Sequence, residues 1–236
     1  MSGERRPPSE TTAAGYFGGM VDSYDSLIRR AVPSYEEMTA RLLDYLPADA
    51  ARVLELGCGT GNLSLALAAR YPRAAFTFVD AAPEMLEVTR DRLERAYPAA
   101  ERRSEFVLGR FEELALSAAA FDLSTSSISL HHVVDKGAVY RALFGALAPS
   151  SAFCFADQLG GGTEAVHEIN WKRWLEFCRE PGNCSEAEIE SLLEHAAAHD
   201  HYTPLREHIR LLEAAGFRSV DCVWRNWIWG IVTAER

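Results

Sequence analysis

The sequence predicts an α/β fold: a doubly wound sheet of seven mostly parallel strands carrying a helical lid insertion. Three observations predict it. Short apolar runs alternate with helical segments from about residue 52 to 157, an order that makes strands parallel and puts helices on both faces of the sheet. The first apolar run ends in a glycine-rich turn that opens straight into a helix. The rhythm breaks over 163–204, then resumes as one helix and two adjacent strand-like runs.

Taken in order, "MSGERRPPSETTAAG" is polar and lacks an apolar core, so residues 1–15 are expected to be a disordered tail. Residues 16–236 form one domain. Its cap helices, 16–48, are two pieces split before Pro33, with Ser34 and Glu37 spaced as a capping box and Met38, Leu42, Leu43 and Leu46 at helical spacing. "ARVLELG" reads as a buried strand and "NLSLALAARY" as the helix after it. "AAFTFVD" is a second strand, and Pro83 opens the next helix at a first-turn position. "SEFVLG" and "FDLSTSSISL" are strands three and four. "DKGAVYRALFGALAP" is a helix stopped by Pro149, and "SAFCFAD" is the fifth strand. In the insertion, Ser185 and Glu188 form a second capping box ahead of an apolar stripe through Ile189, Leu192, Leu193, Ala196 and Ala197. "PLREHIRLLEAAGF" is a helix ended by Gly216, followed by "SVDCVWR" and "WIWGIVTAE", a hairpin-like edge.

Composition narrows the function. The chain has 236 residues, 48% apolar and 25% charged, which fits one large globular domain. Its formal net charge of −10 repels nucleic acid on average, and the basic runs are only pairs, so a nucleic-acid partner is not expected. No stretch approaches the ~20 apolar residues of a membrane span, so no membrane partner is expected. Five cysteines without a CxxC pair or a secretion signal imply reduced thiols and a cytoplasmic location. Oligomeric state is not legible, although the aromatic C-terminal hairpin offers a surface for a homodimer.

The motif with most chemical content is "ELGCGTG", with Gly57, Gly59 and Gly61 between a strand and a helix. Glycine permits positive φ and close approach of a ligand, and in a doubly wound sheet this turn lies at the ligand-binding edge. The dinucleotide pattern G-x-G-x-x-G places its third glycine six positions along; counted from Gly57 that position is Asn62, which argues against a dinucleotide.

"ELGCGTG" closely resembles the first motif of the class I S-adenosylmethionine (SAM)-dependent methyltransferases, a Rossmann-like family. "VDAAPEML" is similar to the family's second-strand segment, "FDLSTSSISLHHV" to its fourth-strand motif, and "LLEAAGF" with two strands to its C-terminal signature. The likeness covers about 20–160 and 205–236. It implies SAM as cofactor, held by Glu55, Gly57, Cys58, Gly59 and Gly61 at the turn, with Asp80 and Ala81 at the ribose and Met85 against the adenine. Arg110 and Phe111 stand where the family often has an acidic residue, so adenine is expected on the backbone and the Phe111 ring. Ala82 replaces a frequent serine. Ser126, Tyr24 and Arg30 complete the expected cofactor set, Arg30 by pairing with a carboxylate.

The resemblance implies a methyltransferase acting on a small molecule by in-line displacement at the sulfonium. His131, Asp157 and Tyr24 are the candidate catalytic residues, because a histidine after the fourth strand stands where it can take a proton. Tyr16, His132, Asn170, Trp171 and Tyr202 are the candidate substrate residues; Trp174 and Phe177 are assigned to the lid's own core. His195 and His199 have i, i+4 spacing that can bind zinc, but no HExxH or cysteine supports it, so no metal is expected. "LIRRAVPSY" is similar to an N-terminal segment of the subgroup containing carboxy-SAM synthase, which keeps non-methyl SAM chemistry open: intramolecular cyclisation releasing methylthioadenosine, or modified-SAM synthesis. The motifs are also compatible with a tRNA-modifying methyltransferase and with a non-catalytic SAM-binding protein.

Overall fold

The structure, a computed structural model, describes residues 12–236. Residues 1–11 of the expected tail lie outside the described residues. The next few are not tail-like, because the Thr12 side chain accepts a hydrogen bond from Gly15 N and caps α1 (Ala13–Gly18). α2 (Val21–Ala31) and α3 (Tyr35–Asp44) follow on either side of Pro33. Ser34 does not cap α3: at φ 59° it is left-handed and its side chain makes no cap hydrogen bond, so the turn, not the capping box, sets this boundary.

The alternation then runs as expected through β1 (Arg52–Leu56), α4 (Asn62–Arg70), β2 (Ala75–Asp80), α5 (Pro83–Ala96), the single turn α6 (Pro98–Glu101), β3 (Ser104–Leu108) and β4 (Phe121–Ser127). α7 (Lys136–Ala146) ends before Pro149, which lies inside the longer β5 (Leu147–Gln158). The insertion supplies α8 (Glu164–Cys178) and α9 (Glu186–His199). α10 (Leu205–Ala215), β6 (Arg218–Asn226) and β7 (Trp229–Glu235) close the chain. Gly216, at φ 110°, ends α10 as expected.

The seven strands form one sheet in the order β3-β2-β1-β4-β5-β7-β6. β1 to β5 pair in parallel, and β7 pairs antiparallel with both β5 and β6. The hairpin is therefore only half an edge. β7 is interior, and Trp229 is 2% exposed, while Trp224 and Trp227 are half-buried.

Both faces of the sheet are covered. Val53, Phe76 and Phe78 pack under Met38, Leu42 and Leu67 on one side, and Leu54, Leu56 and Phe153 pack under Tyr140, Leu143 and Leu212 on the other. Each large side chain removed from water contributes roughly 1.5–3 kcal/mol. The strand order reverses between β1 and β4, which places a crevice at their carboxyl ends.

The insertion folds back over that crevice onto the N-terminal helices. Trp174 Nε1 donates to the Ala31 carbonyl at 2.8 Å, and Tyr16 Oη lies 3.0 Å from Ser191 Oγ. α9 starts with the expected capping box: Ser185 Oγ accepts from Glu188 N, and Glu188 reaches back to Ser185 N at 2.7 Å.

Candidate active site

A cavity of about 460 Å³ opens at the crevice, floored by the glycine turn and roofed by α1. The turn needs glycine for geometry. Gly57 has φ 71°, and a Cβ there would sit 2.4 Å from Ser129 Cβ. Gly59 has φ 53°, and a Cβ there would have only Tyr24 near it, at 4.0 Å; its bareness leaves the cavity open.

The amides of this turn have partners within the protein. Gly57 N and Cys58 N donate to the Val79 carbonyl, Gly59 N to Asp80 Oδ2 at 2.8 Å, and Gly61 N to the Cys58 carbonyl. The glycines therefore work by lacking side chains more than by offering N–H groups. Gly57→Ala is expected to lower thermal stability and abolish SAM binding, since left-handed backbone costs an L-residue about 1–2 kcal/mol before the clash is counted. Gly145→Ala is the control, because nothing lies within 4 Å of its Cβ. Thermal melts with and without SAM check both variants.

Asp80 ends β2 at the cavity wall, its Oδ1 accepting from Ala82 N at 3.0 Å. Burial pushes its carboxyl up, and the hydrogen bonds from Ala82 and Gly59 pull it back down. Tyr24, Ala81, Met85, Arg110 and Phe111 line the same cavity. His132, assigned to the substrate side, also faces this cavity.

Five of the expected cofactor residues lie elsewhere. Arg30 forms a two-pronged pair with Glu188, at 2.6 and 3.1 Å, and ties α2 to the lid. That pair holds the Glu188 carboxyl down to about 2. Glu55 and Cys58 are buried, at 1% and 4% exposure, and Gly61 packs on Thr89. Ser126 Oγ pairs with Ser129 Oγ at 2.7 Å inside the sheet.

A second, more enclosed cavity of about 60 Å³ adjoins the first and shares Phe17, Tyr24 and Ile128 with it. Ile128 has φ 57°, a strained conformation for a β-branched residue, at the tip of β4. Tyr16, His131 and Tyr202 line this cavity; Asn170 and Trp171 do not. Trp171 packs instead on Trp174 and Tyr202, with ring centroids 4.7 and 5.3 Å away.

Asp157 stands behind His131. Its Oδ1 lies 2.5 Å from His131 Nδ1, and its Oδ2 accepts from His131 N at 3.0 Å. Burial lowers the His131 imidazolium, but the Asp157 charge and hydrogen bond outweigh it, so its pKa is raised. Burial and the neighbouring imidazole of His132 push His195 down to about 4. Burial raises Tyr24 and Tyr202, so both stand as neutral phenols. Lys136 Nζ donates to the Val133 and His201 carbonyls at 2.8 Å and adds positive charge near Asp157.

The residues that sequence reasoning misses are the small-cavity partners Asp200, Phe17 and Ile128. Asp200 follows the last residue of α9, and in the sequence it shows only as a carboxylate beside "HYT". Phe17 stacks among the histidines, 4.9 Å from His195.

Residues 53–150 match the family model described as "Methyltransferase domain". Over 210 residues the chain is 28% identical to a carboxy-S-adenosyl-L-methionine synthase of Chromohalobacter salexigens, covering 86% of this chain and 76% of that protein. Over 201 residues it is 30% identical to a malonyl-[acyl-carrier protein] O-methyltransferase of Geobacter sulfurreducens, covering 85% of this chain and 66% of that one. The fold is shared with Haemonchus contortus phosphoethanolamine N-methyltransferase 2 in complex with SAM: TM-score 0.67 at 14% identity, covering 93% of this chain and 57% of that chain. The chain thus spans between about half and three quarters of the length of these proteins.

Proposed function

This chain belongs to the class I SAM-dependent methyltransferases, with SAM as its cofactor, and from that premise we propose which cavity takes the acceptor and what that acceptor is like. SAM occupies the larger cavity, with its ribose at Asp80 and its adenine between Met85 and Phe111. The acceptor is a small molecule with a protic nitrogen, oxygen or sulfur, seated in the enclosed cavity of about 60 Å³. The observation that carries this reading is the shared wall: Phe17, Tyr24 and Ile128 line both spaces, so the two cavities abut, which supports transfer from one to the other.

The volume supports a small acceptor, since a single enclosed water needs only about 10–15 Å³ on this measure. The sulfonium already makes the methyl carbon electrophilic, so the protein contributes chiefly alignment and exclusion of water. Where the nucleophile carries a proton, the lone pair at His131 Nε2 is the nearest base, oriented by Asp157 through Nδ1. Asp157 is a positioning residue in this scheme.

The net charge of −10 speaks against tRNA as acceptor. The five cysteines are free, which supports a reducing, cytoplasmic setting. Among the described residues no helix is long and apolar enough to cross a membrane.

The test is to incubate pure protein with SAM, alone and with a panel of small amines, thiols and hydroxy acids, and to resolve the nucleosides by mass spectrometry. S-adenosylhomocysteine formed only when an acceptor is present is the expected result. Methylthioadenosine or a modified SAM formed from SAM alone would overturn methyl transfer.

A further inference from the structure

The partition between the two cavities holds an unusual group of side chains. His131 Nε2, His132 Nδ1 and His195 Nε2 lie 3.8, 3.1 and 3.8 Å from one oxygen, Asp200 Oδ1. The side chains of His131, His195 and Asp200 are 4%, 6% and 4% exposed. None of these approaches to Oδ1 is aligned as a hydrogen bond. Asp200 Oδ1 and both ring nitrogens of His132 and of His195 are buried without a hydrogen-bond partner. A buried polar atom left unsatisfied has given up its water for nothing, and here five such atoms stand together.

We propose that His131, His132 and Asp200 form a binding site for one first-row divalent metal ion of the zinc type, on the wall between the cofactor and acceptor cavities, with His195 beside it and the fourth position open. Donor atoms of His131, His132 and Asp200 all lie within 4.8 Å of one another. Donor atoms about 2.0–2.1 Å from a tetrahedral ion stand roughly 3.4 Å apart, and the separations of His131 Nε2 and His132 Nδ1 from Oδ1, 3.8 and 3.1 Å, bracket that value. Two imidazoles with one carboxylate are a borderline donor set that suits zinc, iron or cobalt rather than magnesium or calcium.

The outer groups are arranged as they are around metal ligands. Asp157 accepts from Nδ1 of His131, which leaves Nε2, 3.8 Å from Asp200 Oδ1, for the ion. Tyr202 Oη donates to Asp200 Oδ2 at 2.6 Å, which leaves Oδ1 for the ion. An ion pair alone does not explain the cluster, because Asp157 already partners His131, and Asp200 Oδ1 can pair with His132 or His195 but leaves the other ring without a partner. The charged neighbours are Asp157 and Lys136, which offset each other, with the phenols of Tyr16 and Tyr202 and the ring of His199 around them.

The binding claim does not rest on methyl transfer. The use of the ion does: from this wall it would hold an anionic or polarisable group of the acceptor beside the methyl carbon, with His131 as ligand in place of base.

The experiment is metal removal by chelator dialysis, titration of the intact chain with Zn²⁺ by calorimetry, and the visible spectrum with Co²⁺. One ion per chain, and the strong d–d bands of low-coordinate cobalt, are expected. His131→Ala and Asp200→Asn are expected to weaken zinc binding more than the ~10–100-fold of an outer-group change. His199→Ala, outside the cluster, is expected to retain it. SAM titration of the same samples reports folding and the cofactor site separately. Binding below one equivalent in a chain that still takes SAM, or wild-type zinc affinity in both cluster variants, overturns the site.

Discussion

Asp80→Asn is expected to weaken SAM binding by about 100-fold in calorimetric titration, while Asp122→Asn leaves it unchanged. The first expectation follows from what the carboxylate does twice over. Its Oδ2 accepts from Gly59 N at 2.8 Å and its Oδ1 from Ala82 N at 3.0 Å, so it holds the glycine turn against β2. The lone pairs that remain face the cavity, where two vicinal hydroxyls of a ribose would donate to them. A hydrogen bond to a charged group contributes about 1.5–3 kcal/mol, and two at the low end give roughly 3 kcal/mol, or about two decades of affinity. The amide cannot replace this. Whichever way it turns, its NH₂ faces either a backbone N–H or a hydroxyl donor. Asp122 is the matched control because it, too, accepts from two backbone amides, Ala51 N and Arg52 N, but at the opposite end of the sheet. An Asp80→Asn variant within threefold of wild type would remove ribose recognition from this residue.

That argument uses a stretch the sequence displays openly. The strand, the turn and the helix at 52–70 are contiguous, and each obeys a local rule: apolar run, positive-φ residues, helix former. The capping box at Ser185 is local in the same sense and is present. The one at Ser34 has the same letters and fails, because Pro33 and the fold of α2 onto α3 force Ser34 into a left-handed turn that no pattern of side chains announces. Arg30 fails for a tertiary reason. Its partner, Glu188, arrives from 158 residues away, and nothing local distinguishes an arginine that meets a cofactor from one that meets a lid. The small cavity is the extreme case. Its histidines come from the tip of β4 and from α9, its carboxylate from beyond α9, and its aromatic rings from α1, α2, α8, β7 and the stretch after α9. Each is visible as a residue, but their convergence exists only after the insertion closes.

Glu55 shows how the site shapes stability as well as binding. The side chain lies beneath the turn at 1% exposure, where Ser64 Oγ donates to its Oε2 at 2.7 Å. Burial, with a smaller push from the Asp80 charge, raises its carboxyl to about 8, against the downward pull of Ser64. The unfolded chain ionises near the ordinary value of about 4.3–4.5. Between these two values the folded protein keeps a proton that the unfolded chain has lost, so stability falls as pH rises from about 4.5 toward 8. Each unit of separation is worth about 1.4 kcal/mol, and the accumulated loss is on the order of 3 kcal/mol or more. Glu55→Gln cannot ionise and keeps an oxygen for Ser64. It is expected to match wild type at pH 5 and to exceed it by a few kcal/mol at pH 8 to 9 in urea unfolding. Parallel stability–pH curves for the two proteins would show that Glu55 is ionised in the folded state throughout. The expected divergence instead means that the glycine turn rests on a neutral acid, and that the negative charge beside that turn is carried by Asp80 and not by Glu55.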